Sequence, residues 1–554
     1  MTWKKVINAD PGDADHHGGD SLDKVSDLFS AVDVDDVDIN ADWIFRSGKL
    51  NIRNPANTFS YNIVPAAIAA NRTINLPLLT AADTFTFNSF AAILSSKTLD
   101  STCDISAAIG AGSQTTYMVE PTGTNINAPT GYTVRKMFRG SSTTTTYGST
   151  AANIVTMFDD INDQLTRPTA SGSGMKGGII YLKNGTYSTN ASFMDFSDTT
   201  DAANIHVRLI GESRQNTIIK THASSGAGTM IDGYCSFDVE NIMFDGTSVA
   251  NIVCIGMHDT GDTNKVLKVK NCSFHDFTRF DVNIVQGVRG IEHCNCYHYS
   301  HQGSEDQVAI GTTGGTAATR FAEIYNNTFE KISGVLTGES FTSGTVYNCH
   351  VYNNYINRTT PDSGGISIEG FSSGYNNENV FIHDNVLVNA GINIGSSNDF
   401  TDTLKNITIS GNNLRGGGIR ILGTSSGYSG KVKDISVTGN TIVNPYEHGI
   451  LLYHTGGIIF VKDNVIQNSN ISSNDPGNNN GLISLVDTID PVVEGNTLYL
   501  EANADTDVSP WGIKYVNGAN VTIRNNRATK RNATTTYQQA GTQTGISEIT
   551  DNTG

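Results

Sequence analysis

Between residues 239 and 528 the chain returns eleven times to one six-residue phrase. It consists of a β-branched residue, any residue, a turn-forming residue, most often Asn, any residue and a large apolar residue. In order the phrases are VENIMF, VKNCSF, EHCNCY, IYNNTF, VYNNYI, IHDNVL, ISGNNL, VTGNTI, VKDNVI, VEGNTL and IRNNRA. The turn position moves from 241 to 525, so ten steps cover 284 residues and the mean period is 28.4. A unit of that size cannot bury its apolar face alone, and units that repeat must stack into a solenoid.

Two ladders sharpen the expectation. From the third phrase onward the residue after the turn position is Asn in nine units, Asn295, Asn327, Asn354, Asn385, Asn412, Asn440, Asn464, Asn496 and Asn526. A carboxamide both donates and accepts, so amides stacked at a strand spacing of about 4.8 Å can bond above and below. Two positions before each turn stands Val or Ile, a row that only Glu292 breaks. A second phrase recurs later in each unit, as GISIEG, GINIGS, GIRILG, GILLYH, GLISLV and GIKYVN. Its alternation predicts a strand with Ile inside and the intervening residue outside. These ladders resemble the pectate-lyase-like fold, which implies an all-β chain built as a right-handed single-stranded parallel β-helix of about eleven or more coils.

Composition excludes some classes. The net charge of −18 and pI near 5.1 argue against a nucleic-acid partner, because phosphate binding needs clustered Lys and Arg. The seven cysteines, Cys103, Cys235, Cys254, Cys272, Cys294, Cys296 and Cys349, include no CxxC pair and are expected as free thiols. Cys272 and Cys294 fall on ladder positions and are expected as stacked core thiols. The N-terminus MTWKKVINADPGD carries no apolar run for a signal peptide, and no later run is long enough to span a membrane. Synthesis in a cytoplasm is the expectation. No P-loop, dinucleotide Gly motif, GxSxG or HExxH is present, so no cofactor is expected.

Taken in order, residues 1–112 read as a small β-rich oligomerising region. A short helix with Leu22, Val25, Leu28 and Phe29 on one face is followed by alternating strands and a hairpin turn at Ser47-Gly48. The cluster of Asp10, Asp13, Asp15, His16, His17 and Asp20 shows no fixed ligand spacing, and charged turn chemistry accounts for it without a metal. Residues 113–150 are rich in Thr, Ser and Gly and read as a linker. Residues 151–530 hold the β-helix, opened by a helix with Ile154, Phe158, Ile161 and Leu165 at helical spacing. Residues 531–554 form a polar tail.

Two further stretches resemble viral proteins. The segment LSSKTLDSTCDI (94–105) is similar to one found in phage tail fibres. The helix followed by GGIIYLKNGTY and a strand holding I-G-E resembles the entry to viral and bacterial pectate-lyase-like β-helices. The resemblance implies a tailspike-like virion protein, a homotrimer attached to the virion tail or capsid by its N-terminal region. It also implies binding and cleavage of a host surface polysaccharide. The rival expectations are a non-enzymatic adhesin or structural fibre that uses the same groove, or a secreted cellular polysaccharide lyase.

Three carboxylates flank successive Gly-Ile strands, Asp306, Glu339 and Glu369. Stacking would set neighbours about 5 Å apart and alternate coils about 10 Å apart, which brackets the retaining and inverting glycosidase geometries. Asn393, Arg420, Tyr453 and His454 are expected on the same outer face as substrate-binding groups. A second set, Arg279, His298 and His301, offers a cation and bases suited to eliminating across a uronate. The steps of 23 and 32 residues around this coil suggest a site-forming loop.

Overall fold

The computed structural model describes residues 50–53, 60–63, 115–138, 141–166, 177–189, 194–195, 205–222, 228–233, 235–246, 252–257, 265–284, 288–300, 307–310, 319–330, 341–343, 346–359, 364–368, 377–395, 404–423, 432–445, 448–468, 481–500, 511–530, 537–540 and 548–550. The chain divides into two units, 1–90 and 91–554. In the first, Leu50–Arg53 pairs antiparallel with Ser60–Ile63. The turn expected at Ser47-Gly48 lies outside the described residues. The acidic, histidine-bearing cluster at 10–20, the segment 94–105 and Cys103 lie outside the described residues.

The second unit is a parallel β-solenoid. Each coil supplies one strand to each of three sheets, and the second and third sheets hold thirteen strands apiece. One coil shows the plan: Leu404–Ser410 in the first sheet, the Gly411-Asn412 turn, Asn413–Arg415 in the second sheet and Ile419–Leu422 in the third. The turn is tight because one residue takes the left-handed conformation. Asn241, Asn271, Asn295, Asn326, Asn353, Asp384, Asp463 and Asn525 do so with φ of 50–60°, and Gly411, Gly439 and Gly495 with φ of 64–69°. Asn, Asp and Gly are the residues that enter that region at least cost.

The next residue of each turn is the amide ladder. Asn327, Asn354, Asn385, Asn412, Asn440, Asn464, Asn496 and Asn526 are buried, and seven Nδ2–H···Oδ1 bonds of 2.9–3.0 Å join them in one line. From Asn354 onward each Oδ1 also accepts the backbone N–H of the preceding asparagine, as from Asn412 N to Asn440 Oδ1 at 3.0 Å. The inward rows are aliphatic. In the third sheet Ile366, Ile392, Ile419, Ile450, Ile483 and Ile513 stand in register and fully buried. Each such side chain contributes about 1.5–3 kcal/mol on leaving water.

The EHCNCY phrase departs from the sequence reading by one residue. Asn295 is the left-handed turn residue and is exposed, so Cys296 takes the ladder position and its N–H donates to Asn327 Oδ1 at 3.0 Å. Register then pairs Val269 with His293 and His293 with Ile324. His293, not Glu292, occupies the apolar row, while Glu292 faces outward to Lys270 at 2.9 Å. A one-residue slip exchanges the two faces of a strand, and here it turns a histidine into the core. The steps around this turn become 24 and 31 residues. Cys272 is a buried ladder thiol as expected; Cys294 is buried too, but in the outward row between Lys270 and Tyr325 and not on the ladder.

The ends also differ from expectation. Residues 115–148, read as linker, hold three strands, Thr115–Thr122, Gly131–Phe138 and Ser141–Gly148. They pair antiparallel, and the first joins Gly178–Leu182 in parallel, extending the first sheet. Helix α1, Ala151–Thr166, buries Ile154, Met157, Phe158, Ile161 and Leu165 in the core, with the Phe158 ring 6.5 Å from that of Tyr187. Thr150 caps it through Oγ1 to the Asn153 N–H at 3.3 Å. Past residue 530, Tyr537–Ala540 and Glu548–Thr550 add one more strand each to the third and first sheets.

Candidate functional site

Because the stack is in register, residues from distant coils line up on its outside. On the third sheet the row runs Asn283, Ala309, Thr342, Ser367, Asn393, Arg420, Leu451, Ser484 and Lys514. Each step is about 4.8 Å. From Thr342 to Arg420 it is continuously polar. Asn393 stands between Ser367 and Arg420, and its Oδ1 is buried with no hydrogen-bond partner. The Asn283 Oδ1 is in the same condition five steps of the row away from Arg420. A buried acceptor left unmet is costly, and the Asn393 Oδ1, like Ser367 beside it, has no surface open to solvent.

The glycines opening these strands allow the coils to approach. A Cβ at Gly418 would collide with the His448 carbonyl oxygen of the next coil. The Gly-Ile phrase thus records a backbone contact as much as a strand start.

The candidates fall into three groups. Asn393 and Arg420 are adjacent in the row, as expected. Tyr453 and His454 are not in it, because Leu451 is the register partner of Arg420. Tyr453 lies one outward position on, between Leu422 and Val486, and its ring meets that of His454 edge-on at 4.0 Å. His454 is a left-handed turn residue with φ of 52°, buried, its Nδ1 3.4 Å from Asp487 Oδ2. Burial lowers its pKa, partly offset by the Asp487 carboxylate.

Asp306, Glu339, Glu369 and His301 lie outside the described residues. The strands that follow or precede the three carboxylates in sequence, Val308–Ile310, Phe341–Ser343 and Ile366–Ile368, are consecutive neighbours in the third sheet. Arg279 is half-buried on the connection leading into Val282–Ile284, its guanidinium 5.8 Å from the Phe280 ring.

His298 is placed differently from the surface position expected of a substrate contact. It points inward from Tyr297–Tyr299 with no exposure and stacks between Phe274 at 4.8 Å and Phe329 at 4.5 Å. Its Nδ1 donates to Asp281 Oδ2 at 2.7 Å. It is a core histidine, since strand alternation puts the middle residue of YHY inside.

One feature escaped the sequence reading. On the first sheet Tyr325, Tyr352 and His383 stack with centroids 5.0 Å apart and planes within 5°. The signal was present in the phrases IYNNTF, VYNNYI and IHDNVL, each with a ring before the turn residue. Tyr325 donates to Glu292 Oε1 at 2.8 Å. Burial alone would raise the Glu292 pKa, but hydrogen bonds from Lys270 and Tyr325 outweigh it and hold the carboxyl below its usual range. The ring faces are spent on one another and only edges remain outside. This ladder is therefore not a platform on which a sugar could stack, and the third sheet is the better candidate.

No protein-family model matches the chain, and no curated protein matches it in sequence. Among solved structures it is similar to the Azotobacter vinelandii mannuronan C-5 epimerase AlgE6 A-module, at 14% identity and a TM-score of 0.36, covering 67% of this chain and 91% of that one. It is also similar to DFA-IIIase from Arthrobacter chlorophenolicus A6, at 13% identity and a TM-score of 0.32, covering 70% and 83%. The catalytic domain of a GH87 α-1,3-glucanase in complex with nigerose matches at 12% identity and 0.34, covering 70% and 66%.

Proposed function

We propose that the chain binds an extended glycan along the outer face of the third sheet and depolymerises it, as the body of a tailspike-like virion protein. The observation that carries the binding is the pair Asn393 and Arg420, a half-buried carboxamide and a half-buried guanidinium in direct register on the outward row. Neutral acceptors and donors suit sugar hydroxyls, and Arg420 suits a carboxylate through its planar fork. For cleavage the candidates are Glu339 and Glu369, which flank adjacent strands in sequence, with Asp306 as the substitute partner. Two carboxyls at near-contact spacing cannot both ionise freely, which leaves one protonated acid beside an ionised partner. Arg279 and His301 remain the proposed contacts at the other end of the row. The virion role, and assembly as a homotrimer through the N-terminal region, rest on the tail-fibre-like segment LSSKTLDSTCDI and the β-helix entry motif.

A second reading has its own support. From Asn283 to Lys514 the row contains no carboxylate among the described residues, so binding alone is all that those residues can perform. Incubation with acidic and neutral polysaccharides, followed at 235 nm and by reducing ends, separates the readings. Unsaturated product means eliminative cleavage, and reducing ends alone mean hydrolysis. Binding without either product establishes the adhesin. If cleavage is found, Glu369→Gln should abolish it with binding retained, and Arg420→Ala should weaken binding of acidic glycans more than neutral ones. Parental cleavage by Glu369→Gln would move the chemistry elsewhere.

A further inference from the structure

The coil that runs from residue 288 to residue 310 has an interior unlike its neighbours. Where the neighbouring coils point apolar side chains inward, this one buries His293 from the first sheet, His298 from the second and Gln307 at the corner before the third, all with no exposure. Beneath Gln307, one coil back, lies Asp281, whose N–H donates to the Gln307 carbonyl at 2.9 Å. Four side-chain atoms in this interior are buried and meet no protein partner: His293 Nε2, His298 Nε2, Gln307 Oε1 and Gln307 Nε2.

The hydrogen positions follow from the ladder. Asn327 Oδ1 accepts the Cys296 N–H, so that atom is the carboxamide oxygen, and His293 Nδ1, 3.2 Å away, must donate to it. His293 is held neutral by burial, which lowers its pKa to about 3. Its Nε2 is therefore a bare lone pair in the core, in need of a donor. His298 cannot supply one directly. The two imidazoles are stacked, 5.0 Å between centroids and 28° between planes, and ring-nitrogen lone pairs and N–H bonds lie within the ring plane. The same stacking keeps the nitrogens from converging on one point, and no described set of three His, Cys, Asp or Glu groups is arranged to hold a metal.

We propose that this coil encloses a hydration site, with ordered water bound by His293 Nε2, His298 Nε2 and the Gln307 carboxamide. Water fits where protein groups do not, because it donates twice and accepts twice and bridges polar atoms too far apart to meet. One water donates to His293 Nε2 and Gln307 Oε1 and accepts from Gln307 Nε2, and a second donates to His298 Nε2, whose ring gives its Nδ1–H to Asp281. The site backs directly onto the candidate groove. Asp281, which holds His298, sits between Arg279 and Asn283, so the hydrated interior positions the strand entry on which the row begins.

Diffraction to a resolution at which single waters are visible tests this on the unmodified chain. The expected result is a solvent peak about 2.7–3.2 Å from both His293 Nε2 and a Gln307 amide atom, without anomalous signal. A second measurement, water-oxygen relaxation dispersion in solution, should count at least one fewer long-lived internal water in Gln307→Leu than in the parent. A dry interior, in which flipped rings or amide pair with protein groups, would overturn the proposal. So would an anomalous peak at about 2.0–2.2 Å from the imidazole nitrogens, which would mean a metal, or equal dispersions for parent and variant.

Discussion

Replacing Asn412 by Ala tests whether the amide ladder holds the solenoid together. Asn412 Oδ1 accepts the N–H and an Nδ2–H of Asn385, each at 3.0 Å, and its Nδ2 donates to Asn440 Oδ1 at 3.0 Å and to the Ile382 carbonyl at 2.9 Å. After truncation the Asn440 oxygen keeps the Asn412 N–H, and the Asn385 amide keeps the Val351 carbonyl. The Asn385 N–H loses its acceptor and the Ile382 carbonyl loses a donor. At about 1–3 kcal/mol for each buried group left unmet, less what a water entering the hole recovers, the expected loss is about 3 kcal/mol. Asn413→Ala is the control, being the next residue but exposed, and should move stability by no more than about 0.5 kcal/mol. Urea unfolding followed by circular dichroism from both directions gives the comparison. If unfolding proves irreversible, unfolding rates replace midpoints. Coincident curves for Asn412→Ala and Asn413→Ala would refute the ladder as a source of stability.

The buried His293 makes stability depend on pH with a definite sign. Its folded pKa of about 3 lies below the ordinary 6.5, so the unfolded chain binds the extra proton. Its contribution is complete above pH 6.5 and drains away as pH falls toward 3, by up to about 1.4 kcal/mol per pH unit. His293→Leu, matching the aliphatic row of Val269 and Ile324, should flatten the stability profile between pH 6.5 and 4. An unchanged slope would show that other groups govern acid unfolding. Light scattering at micromolar concentration tests the proposed trimer, which should scatter as about three times the 59.2 kDa chain; a monomer rules it out.

The solenoid was legible because its signals are local and repeated. Asn at the ladder, Val or Ile two residues before the turn and the Gly-Ile strand each recur at a spacing that only stacking explains. Reading failed where a single phrase was ambiguous. EHCNCY can be aligned on Cys294 or on Asn295, and the alignment on Cys294 hid His293 by leaving it on the outer face. Backbone conformation decides the matter, since Asn enters the left-handed region more readily than Cys. The three strands of 115–148 were missed for another reason. Thr-rich runs satisfy linker composition and β propensity alike, and only pairing with Gly178–Leu182 distinguishes them.

The outer row was less legible than the core because nothing in a coil's own packing constrains it. Inward positions must be apolar and amide positions must bond, whereas Ala309, Ser367, Arg420 and Leu451 succeed one another in register at no cost to the stack. A rigid repeat thus leaves the outward row free to vary while fixing its spacing. The consequence bears on the acidic set. Asp306, Glu339 and Glu369 are near their strands only in sequence, and Ser367, not Glu369, is the register neighbour of Asn393. If Glu369 acts on a glycan held by Asn393 and Arg420, it does so from beyond its strand's described end at Ile368. Lengthening the chain between Ile368 and Glu369 by one residue should then cost cleavage while leaving glycan affinity within about twofold, since about 1.4 kcal/mol would be needed for a tenfold loss. Equal loss of both would place Glu369 among the binding groups instead.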